Sequence, residues 1–584
     1  MGLNKLEWLG KEQRLFLSRD EGYLKKGVTA EQRYQKICDR IQEICDENMK
    51  TSGLLELIHN SETGQNYTTE GIGERFERYV EKNWVSFASP ILANFGEDRG
   101  LPISCNHGKI SDTLDSILGG MHEVGMLAKY GAGTAKNFSN IRPIGAPIAT
   151  GGKSEGVMEW IELYAHTMSK VTQGSVRRGF LTAYLTVDHP EIMDFLEIGT
   201  KKFKDTKAEF FNTITTAVTI PQGWMEELQN GSAKHRKIWA KILKTRNEAG
   251  FPYILFEENC NKNSPQVYKD KGIWLDNANI CIEAIEYCDE EKEFACCLSS
   301  VNAFRYDEWK DDPFFLMDMN IMLDCVITEY IQKGSQLQGL EKAVRFAKEH
   351  RAIGLGIMGF HSYLQKKSVV FGSIESYGIN HSIFSQMRKV GDIASKWMAE
   401  VWGEPEFMKG TGYRNSSRMA QAPTKSTAFI MSGLDSITEG IDTRKSNYNE
   451  KDIAKIQVEN KNRQLEAVLE EKGKNTKTTW RSILKNNGSV QHLDFLTDHE
   501  KAVFRTSSEI SQVDVIKLAA QRQRFIDMGQ SLNVMIHPET PPKDINKLYL
   551  LAYEEGIKSL YYQNSINAAQ EFNKELMTCS ACEG

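Results

Sequence analysis

The sequence lacks the features that would place a protein in a membrane, outside the cell or on nucleic acid. No run of about 18 consecutive apolar residues occurs, so no segment is expected to span a bilayer. The opening residues, MGLNKLEWLGKEQRLFLSRDEGYL, are acidic early and contain no continuous apolar stretch, which predicts no secretory signal and a cytoplasmic protein. Lys and Arg number 72 against 78 Asp and Glu, a net charge of −6, whereas nucleic-acid binders carry a basic balance or stripe.

Several common nucleotide and metal motifs are also missing. The segment GGKSEG at 151–156 is similar to a phosphate loop, but the first glycine of that motif would fall on Pro147. Gly131 and Gly133 lack the third glycine of a dinucleotide fingerprint, because Lys136 stands in its place. No HExxH sequence occurs. A small anionic substrate stays compatible with the acidic balance, because a few Arg or backbone N–H groups suffice to hold a phosphate.

Cysteine is the first informative residue type that is present. The chain has 11 cysteines, an odd number without a secretion signal, so structural disulfides are not expected. Cys38 and Cys45 lie on a predicted helix at 29–49 and are expected to fill the core. Cys579 and Cys582 form the one CxxC spacing, near the end of the chain. Structural zinc sites usually need a second such pair, so we expect no metal site.

Along the chain, the spacing of apolar residues alternates between the one typical of helices and the one typical of strands. Strand-like segments at 180–187, 251–256 and 353–360 stand among helical patterns, which indicates an α/β architecture. The charged segment 440–487 is interpreted as surface helix and loops. The last twenty residues, 565–584, are polar and aperiodic, which is typical of a mobile tail.

The segment DNANICIEAIEY at 276–287 carries the strongest chemical signal. If 279–283 is extended, Asn279, Cys281 and Glu283 share one face, because side chains alternate along a strand. Such a face is either a half-buried strand with incidental polar residues, or a reactive thiol beside a base and a hydrogen-bonding amide.

Further signals are individually ambiguous. Cys105 and the doublet at 296–297 are either inert buried thiols or redox groups. Tyr561 and Tyr562 are either one core and one surface ring, or a pair of phenols that relays electrons. The turn PTKST at 423–427 is either a helix start or a phosphate cradle of backbone N–H groups.

Taken together, in this order, the segments resemble the large catalytic α subunit of class I ribonucleotide reductase. The resemblance extends from about residue 20 to the end, and its motifs are SFASP (86–90), ISCN (103–106), SDTLDSI (111–117), NIRPIGAPI (140–148), TQGSVRRG (172–179), NICIE (279–283), CCLSSVN (296–302), PTKST (423–427), EISQ (509–512), QSLN (530–533), LYYQN (560–564) and the terminal CSAC.

The resemblance implies a fold and its divisions. A helical N-terminal region is expected over 1–85, and a ten-stranded α/β barrel with effector loops over 86–564. Two antiparallel five-stranded halves would form that barrel, with 276–285 as a finger loop through its centre. A flexible redox tail would follow over 565–584, and the chain would form a homodimer.

The resemblance also implies roles at the reaction centre. Cys281 would become a thiyl radical, Glu283 would be the general base and Asn279 would orient substrate. Cys105 and Cys296 would supply two electrons and become a disulfide. Cys297, the neighbour in the doublet, is expected to be a bystander.

Further thiols and phenols would connect this centre with two partner proteins. Cys579 and Cys582 would reduce the disulfide and then be reduced by thioredoxin or glutaredoxin. Tyr561 and Tyr562 would carry the radical from a small β subunit that holds a dimetal/tyrosyl centre. No cofactor would be held by this chain.

Substrate and effector sites follow in the same way. For nucleoside diphosphates, the matching positions are Ser89, Ser104, Pro423, Thr424, Lys425, Ser426, Thr427 and Arg177. For dNTP or ATP effectors at the dimer interface they are Asp112, Arg142 and Gln173. Since the catalytic resemblance begins near residue 20, no room is expected for an ATP-cone of about 90 residues, and hence no cone-mediated inhibition by dATP.

Two alternatives stay open at this point. A class II reductase, which takes its radical from adenosylcobalamin, shares NxCxE and the tail cysteines but has no need of the tyrosine pair. A non-catalytic nucleotide-binding scaffold would tolerate loss of the thiols, all of which are present.

Overall fold

The computed structural model describes residues 3–19, 22–52, 58–60, 65–149, 151–173, 177–178, 180–203, 213–453 and 456–565. Cys579 and Cys582, and with them the predicted redox tail beyond Ser565, therefore lie outside the described residues. None of the helices in these ranges is long and apolar enough to cross a bilayer.

The N-terminal part is mainly helical. Its helices are Lys11–Ser18, Ala30–Ser52 and Ile72–Glu81, and strands β1 (Ile58–Asn60) and β2 (Gln65–Tyr67) form a small antiparallel hairpin. The helix Ala30–Ser52 begins as its sequence predicts, because Thr29 and Gln32 exchange side-chain to backbone hydrogen bonds of 2.9 and 3.2 Å. Cys38 and Cys45 are fully buried in it, as expected. This region shares one apolar core with the rest of the chain, and the limit at residue 85 stays a prediction.

Five parallel strands form the first half of the central sheet. They are β4 (Cys105–Lys109), β5 (Gly133–Asn137), β8 (Leu181–Thr186), β9 (Ile214–Ile220) and β10 (Tyr253–Phe256), in that spatial order. The remaining short strands near this half are β3 (Val85–Ser86), β6 (Thr172–Gln173) and β7 (Arg177–Arg178).

The strands of the second half run antiparallel to those of the first half and close the barrel. Strand β11 (Phe294–Asn302) pairs antiparallel with β4 and parallel with β12 (Ile353–Met358), while β16 (Ser559–Leu560) pairs antiparallel with β10. Two extended segments lie between β12 and β16. Backbone hydrogen bonds join β12 to 417–421, 417–421 to 528–532, and 528–532 to Tyr561 at the end of β16. The predicted ten-stranded barrel of two antiparallel five-stranded halves is therefore confirmed.

Glycine allows the closing segments to approach β12. A Cβ on Gly356 would lie 2.6 Å from the carbonyl oxygen of Ala420, and one on Gly354 would lie 2.8 Å from the Ala420 Cβ. Both distances are shorter than any van der Waals contact, so a side chain at either position would push the barrel open.

Helices surround the barrel and cover its outer face. Between and after the strands of the first half they are Ser89–Asn94, Leu114–Lys129, Val157–Lys170, Ile192–Phe195, Trp224–Gln229, Ala233–Ala249, Glu257–Lys262 and Gln266–Asp270. Around the second half they are Tyr306–Trp309, Phe315–Gly334, Glu341–His350, Phe360–Lys366, Ile374–Trp402, Lys425–Met431, Gln512–Gln523 and Pro542–Glu554. Short 3-10 helices in the described ranges include Ala303–Arg305 and Glu406–Met408.

The charged segment near 440–487 differs from its interpretation as surface helix and loops. It contains a hairpin of β13 (Tyr448–Ile453) and β14 (Ile456–Lys461), followed by the helices Arg463–Glu471, Lys477–Lys485 and Asp498–Val503. A small apolar core of its own, which includes Leu465, Leu469 and Trp480, stabilises it. The apolar residues of this core are few and far apart in the sequence. The many charged residues between them therefore left no recognisable hydrophobic pattern. Strands β15 (Val534–Met535) and β17 (Gln563–Asn564) pair nearby.

Candidate functional site

A loop inside the barrel carries the NICIE segment. Its hydrogen bonds reach strands of both halves: Thr182 Oγ1 lies 3.2 Å from the Ile280 carbonyl, and the Gly529 N–H donates to the Glu283 carbonyl at 2.7 Å. Tyr184 Oη donates to the Asn279 carbonyl at 2.7 Å. The loop is thereby fixed at the barrel axis, as the finger loop of the resemblance requires.

The tip of this loop is a turn, so the condition that 279–283 is extended is not met. Ile282 N–H donates to the Asn279 carbonyl, and Ile282 has a φ of 62°. A β-branched residue rarely adopts this left-handed conformation, which costs free energy and is characteristic of functional sites. Asn279 and Glu283 still meet, at 2.9 Å from Nδ2 to Oε1, because the turn folds one toward the other.

The Glu283 carboxyl is buried and held on both oxygens. Asn279 donates to Oε1, and the Ser531 hydroxyl lies 2.8 Å from Oε2 and 2.7 Å from the Cys281 carbonyl oxygen. Glu283 is only 1% exposed. Ser531 belongs to the QSLN segment, but a lone serine in sequence gave no indication that it would contact the base and the thiol loop together.

Cys281 lies in contact with the tyrosine pair. Tyr561 Oη is 3.5 Å from Cys281 Sγ, and the rings of Tyr561 and Tyr562 have centroids 4.4 Å apart at 60°. Tyr561 is buried and Tyr562 half-buried, so the pair leads from the thiol toward the surface. Tyr253 on β10 packs on both rings, at 4.6 and 5.0 Å. The sequence did not indicate Tyr253, because it stands alone among the apolar residues of its strand.

Two further thiols lie opposite each other on the barrel wall. Cys105 on β4 and Cys296 on β11 are direct partners in the antiparallel register. Such partners have Cα atoms about 4.5–5.5 Å apart, which is within the range that a disulfide bridges. Cys297 is paired with Ile353 and packs into the main core, because adjacent strand residues point to opposite faces. Burial raises the pKa of both Cys296 and Cys297 well above the ordinary thiol value.

A pocket connects these groups, with about 630 Å³ of empty space when the open solvent at its mouth is included. Of the predicted residues, its wall contains Cys105, Cys281, Glu283, Cys296, Ser104, Pro423, Thr424 and Thr427. Ser89 is buried beside the wall, where its hydroxyl lies 3.0 Å from that of Tyr23. Lys425 is exposed and Ser426 buried, and neither lines the pocket. The wall also includes three serines that the sequence did not indicate: Ser86, Ser299 and Ser300.

The PTKST segment supplies the start of a helix at the pocket edge. Thr424 precedes the helix Lys425–Met431, and its Oγ1 accepts a 2.6 Å hydrogen bond from the Gly440 N–H. The first N–H groups of a helix lack acceptors within it and carry partial positive charge. These groups adjoin a pocket that Pro423, Thr424 and Thr427 line, which suits an anionic ligand.

The predicted effector residues lie on another part of the surface. Arg142 Nε contacts Asp112 Oδ2 at 2.7 Å, with both side chains about one-third exposed. Gln173 and Arg177 pair through their backbones in the β6–β7 hairpin, and their side chains are outside the described part. Several apolar side chains nearby are exposed: Leu114, Leu118, Ile144, Ile148 and Leu163.

Comparisons with known proteins agree on one family. The family model for the ribonucleotide reductase barrel domain matches residues 103–234, 227–411 and 404–563. A Frog virus 3 (isolate Goorha) protein, provisionally named a ribonucleoside-diphosphate reductase large subunit, is 30% identical over 568 residues, covering 92% of this chain and 98% of that protein. The ribonucleoside-diphosphate reductase large subunit of Invertebrate iridescent virus 3 is 29% identical, covering 85% and 88%.

A solved structure is similar over nearly the whole length. The class Id ribonucleotide reductase alpha subunit of Actinobacillus ureae is 39% identical and superimposes with a TM-score of 0.84, covering 98% of this chain and 99% of that one. The sequence motifs, the closed ten-stranded barrel and these matches agree, and the chain therefore belongs to the ribonucleotide reductase family, as a large α subunit similar to those of class I.

Proposed function

We propose that this chain is a ribonucleoside-diphosphate reductase catalytic subunit, which reduces ribonucleoside diphosphates to 2′-deoxyribonucleoside diphosphates for DNA synthesis. The observation that carries the proposal is the 3.5 Å contact between Tyr561 Oη and Cys281 Sγ at the pocket. A thiol that must lose one hydrogen atom needs an oxidisable partner in contact with it, and a phenol is such a partner.

The first step is formation of the thiyl radical. One electron and one proton leave Cys281 for the oxidised Tyr561, so that the O–H bond of Tyr561 forms as the S–H bond of Cys281 breaks. Tyr562, in ring contact with Tyr561, carries the preceding transfer from the surface. The radical originates in a small β subunit, whose dimetal/tyrosyl centre supplies the oxidising equivalent. The tyrosine pair makes this class I route preferable to the adenosylcobalamin route of class II.

The substrate reaction uses the groups around Cys281. The thiyl radical abstracts the 3′ hydrogen, and Glu283 accepts the 3′-hydroxyl proton as general base. Asn279 orients the substrate. It also orients Glu283, because its Nδ2 donates a hydrogen bond to one carboxyl oxygen of Glu283. Loss of the 2′ hydroxyl as water consumes two electrons and two protons, which Cys105 and Cys296 supply as they join in a disulfide.

The disulfide is then reduced from outside the pocket. Cys579 and Cys582 are proposed to exchange with it and to be reduced in turn by a thioredoxin- or glutaredoxin-type protein. Such reductants operate in the cytoplasm, which is the proposed location.

Phosphate and effector binding complete the proposal. The backbone N–H groups at the start of the helix Lys425–Met431 receive the diphosphate of the substrate, and Ser89, Ser104 and Arg177 are further substrate-binding residues. Asp112, Arg142 and Gln173 receive dNTP or ATP effectors and communicate the effector base to the substrate site. The exposed apolar side chains near Leu114 and Ile144 would be covered in a homodimer.

The test is a reduction assay with nucleoside diphosphates, a dithiol reductant and a candidate small subunit. Product should depend on the small subunit, and Cys281→Ser should abolish it while dNTP binding, measured by calorimetry, is unchanged. Cys260→Ser, at a buried thiol beside the Lys558 carbonyl, is the control and should retain activity. Turnover by Cys281→Ser, or by the wild-type chain alone with adenosylcobalamin, would refute the proposed route.

A further inference from the structure

One fully buried arginine, Arg246, is hydrogen-bonded to the backbone of the tyrosine pair. It lies near the end of the helix Ala233–Ala249 and is 0% exposed. Its guanidinium donates to Tyr549 Oη at 2.8 Å, to the Tyr561 carbonyl at 2.9 Å and to the Pro252 carbonyl. These three acceptors are uncharged, and a buried charge is costly to retain. The reaction as proposed above gives this cation no role.

The guanidinium lies where the pairing of β10 and β16 stops. The last paired residue of β16 is Leu560. Two residues further on, the same register would place Tyr562 opposite Pro252, but proline has no N–H to donate. Arg246 joins the two chains there instead, because its Nη1 and Nη2 donate to the carbonyls of Pro252 and Tyr561, one on each chain.

The position of the Tyr561 phenol depends on this bridge. The N–H of Tyr561 donates to the Leu532 carbonyl at 2.9 Å, and the bond from Arg246 holds the carbonyl of the same residue. With both backbone groups fixed, the ring is directed to Cys281, and Oη lies 3.5 Å from Sγ. In a transfer between two such groups, a displacement of about 1 Å can lower the rate about a hundredfold.

Tyr562, the next residue, is anchored without Arg246. Its carbonyl accepts a hydrogen bond from the Val534 N–H at 3.1 Å, and the Gln563 N–H after it donates to the Gly250 carbonyl at 2.8 Å. Neither bond includes the guanidinium. Loss of the guanidinium is therefore expected to displace the first tyrosine of the pair more than the second.

We propose that Arg246 is a positioning residue for radical transfer, whose guanidinium holds the Tyr561 backbone so that the phenol stays in contact with Cys281. The inference rests on the proposed function, which assigns the transfer to these two residues. Arg246 itself exchanges no proton and no electron. It acts through the Tyr561 carbonyl, at the last transfer before the thiyl radical forms.

The experiment first compares turnover of three variants of the full chain with the small subunit. Arg246→Met removes every guanidinium donor and keeps an unbranched side chain. Arg246→Lys keeps a cation but lacks the planar fork with which arginine reaches two carbonyls at once. Arg444→Met is the matched control, because Arg444 is 7% exposed and its guanidinium donates to the Ser436 carbonyl and to Gln365 Oε1. Turnover is expressed per folded chain, measured by circular dichroism.

A second measurement follows the arrival of the radical at the preceding tyrosine. The same variants are prepared with 3-aminotyrosine in place of Tyr562. An aminophenol is oxidised at a lower potential than a phenol, so a radical that arrives there stops and is detected by electron paramagnetic resonance after rapid freezing. This signal does not depend on the last transfer. It therefore separates that transfer from folding and from docking of the small subunit.

The expected result is a loss of turnover without a loss of radical arrival. At saturating diphosphate, Arg246→Met should lower kcat about a hundredfold with KM unchanged, the effect of a displacement of about 1 Å at the reacting atoms. Arg246→Lys should fall between this variant and wild type, and it decides the question where Arg246→Met does not fold. The aminotyrosyl radical should form in wild-type yield in every chain. Arg444→Met should keep the kcat of wild type.

The contrary results fall into two groups. A wild-type kcat in Arg246→Met or in Arg246→Lys, or an equal loss in Arg444→Met, would overturn the bridging role. An equal loss of kcat and of the aminotyrosyl radical would show that Arg246 acts on folding or docking, which also overturns it. Absence of that radical in the wild-type background would contradict the tyrosine route, and with it both that part of the proposed function and this inference.

Discussion

Cys105 and Cys296 stand directly opposite each other across the antiparallel strands β4 and β11, whereas Cys297 points to the other face of β11. The two members of the cysteine doublet are thus chemically equivalent and structurally distinct. Of these two, Cys296 lines the pocket with Cys281 and Cys297 does not.

The first prediction compares the two thiols of the doublet. Pre-reduced Cys296→Ser should form no deoxynucleotide above background, because one of the two electron donors is missing. Cys297→Ser should form as much product per enzyme as wild type in a single round without reductant. The measurement is chromatography of the product after acid quench. Equal losses in both variants would contradict the assignment of Cys296 to the redox pair.

The second prediction concerns the phenols beside Cys281. Tyr561→Phe should reduce turnover to background, because it removes the O–H bond 3.5 Å from Cys281 Sγ while keeping the ring. Tyr253→Phe is the matched control, since its ring packs on the same two tyrosines. It should retain turnover within a few-fold of wild type. Steady-state assays with the small subunit decide between them, and full activity of Tyr561→Phe would refute the transfer route.

The third prediction tests the hydroxyl that orients the base. Ser531→Ala removes the contact with Glu283 Oε2 and leaves a buried carboxylate oxygen with one partner fewer, which costs about 1–3 kcal/mol. We expect kcat to fall about tenfold with little change in KM. Ser559→Ala, which loses a buried hydrogen bond to the Gln530 carbonyl, is the control for stability alone. A similar kcat in both variants would show that Ser531 acts only through stability.

The fourth prediction concerns the exposed apolar surface near the effector residues. Leu114 and Leu118 are 59% and 43% exposed on one helix, and a dimer interface would cover them. Leu118→Glu should convert the dimer to monomer in analytical ultracentrifugation and weaken dNTP specificity effects. Ile374→Glu, at a position 93% exposed elsewhere, should leave the assembly unchanged. A Leu118→Glu chain that sediments like wild type would place the interface on another surface.

The helices and strands with a clear hydrophobic period could be predicted from the local sequence pattern. The helix with Ile37, Ile41 and Ile44 on its buried face begins where the helix at 29–49 is predicted to begin, at a capping box of Thr29 and Gln32. Strands β8, β10 and β12 fall within the three predicted segments. The closing segments 417–421 and 528–532 were not predictable, since they are too short to show a period and are extended only because neighbouring strands bond to them.

The candidate site was predicted as a list of residues rather than as an arrangement. The NICIE segment indicated a thiol beside a carboxylate, but alternation along a strand gave the wrong backbone, because a turn with Ile282 at positive φ replaces it. Ser531 and Tyr253 carried no local signal. Each is significant only through a contact with a residue far away in sequence.

The sequence by itself determined the family and the α/β class and indicated the candidate reactive thiols, because these depend on residue types at fixed spacings. The tertiary structure alone decided which thiols face each other and how Tyr561 meets Cys281, which is 280 residues away in the sequence. The physical reason is that strand register and barrel closure are long-range hydrogen-bonding arrangements. They bring side chains into contact although no local sequence period relates those residues.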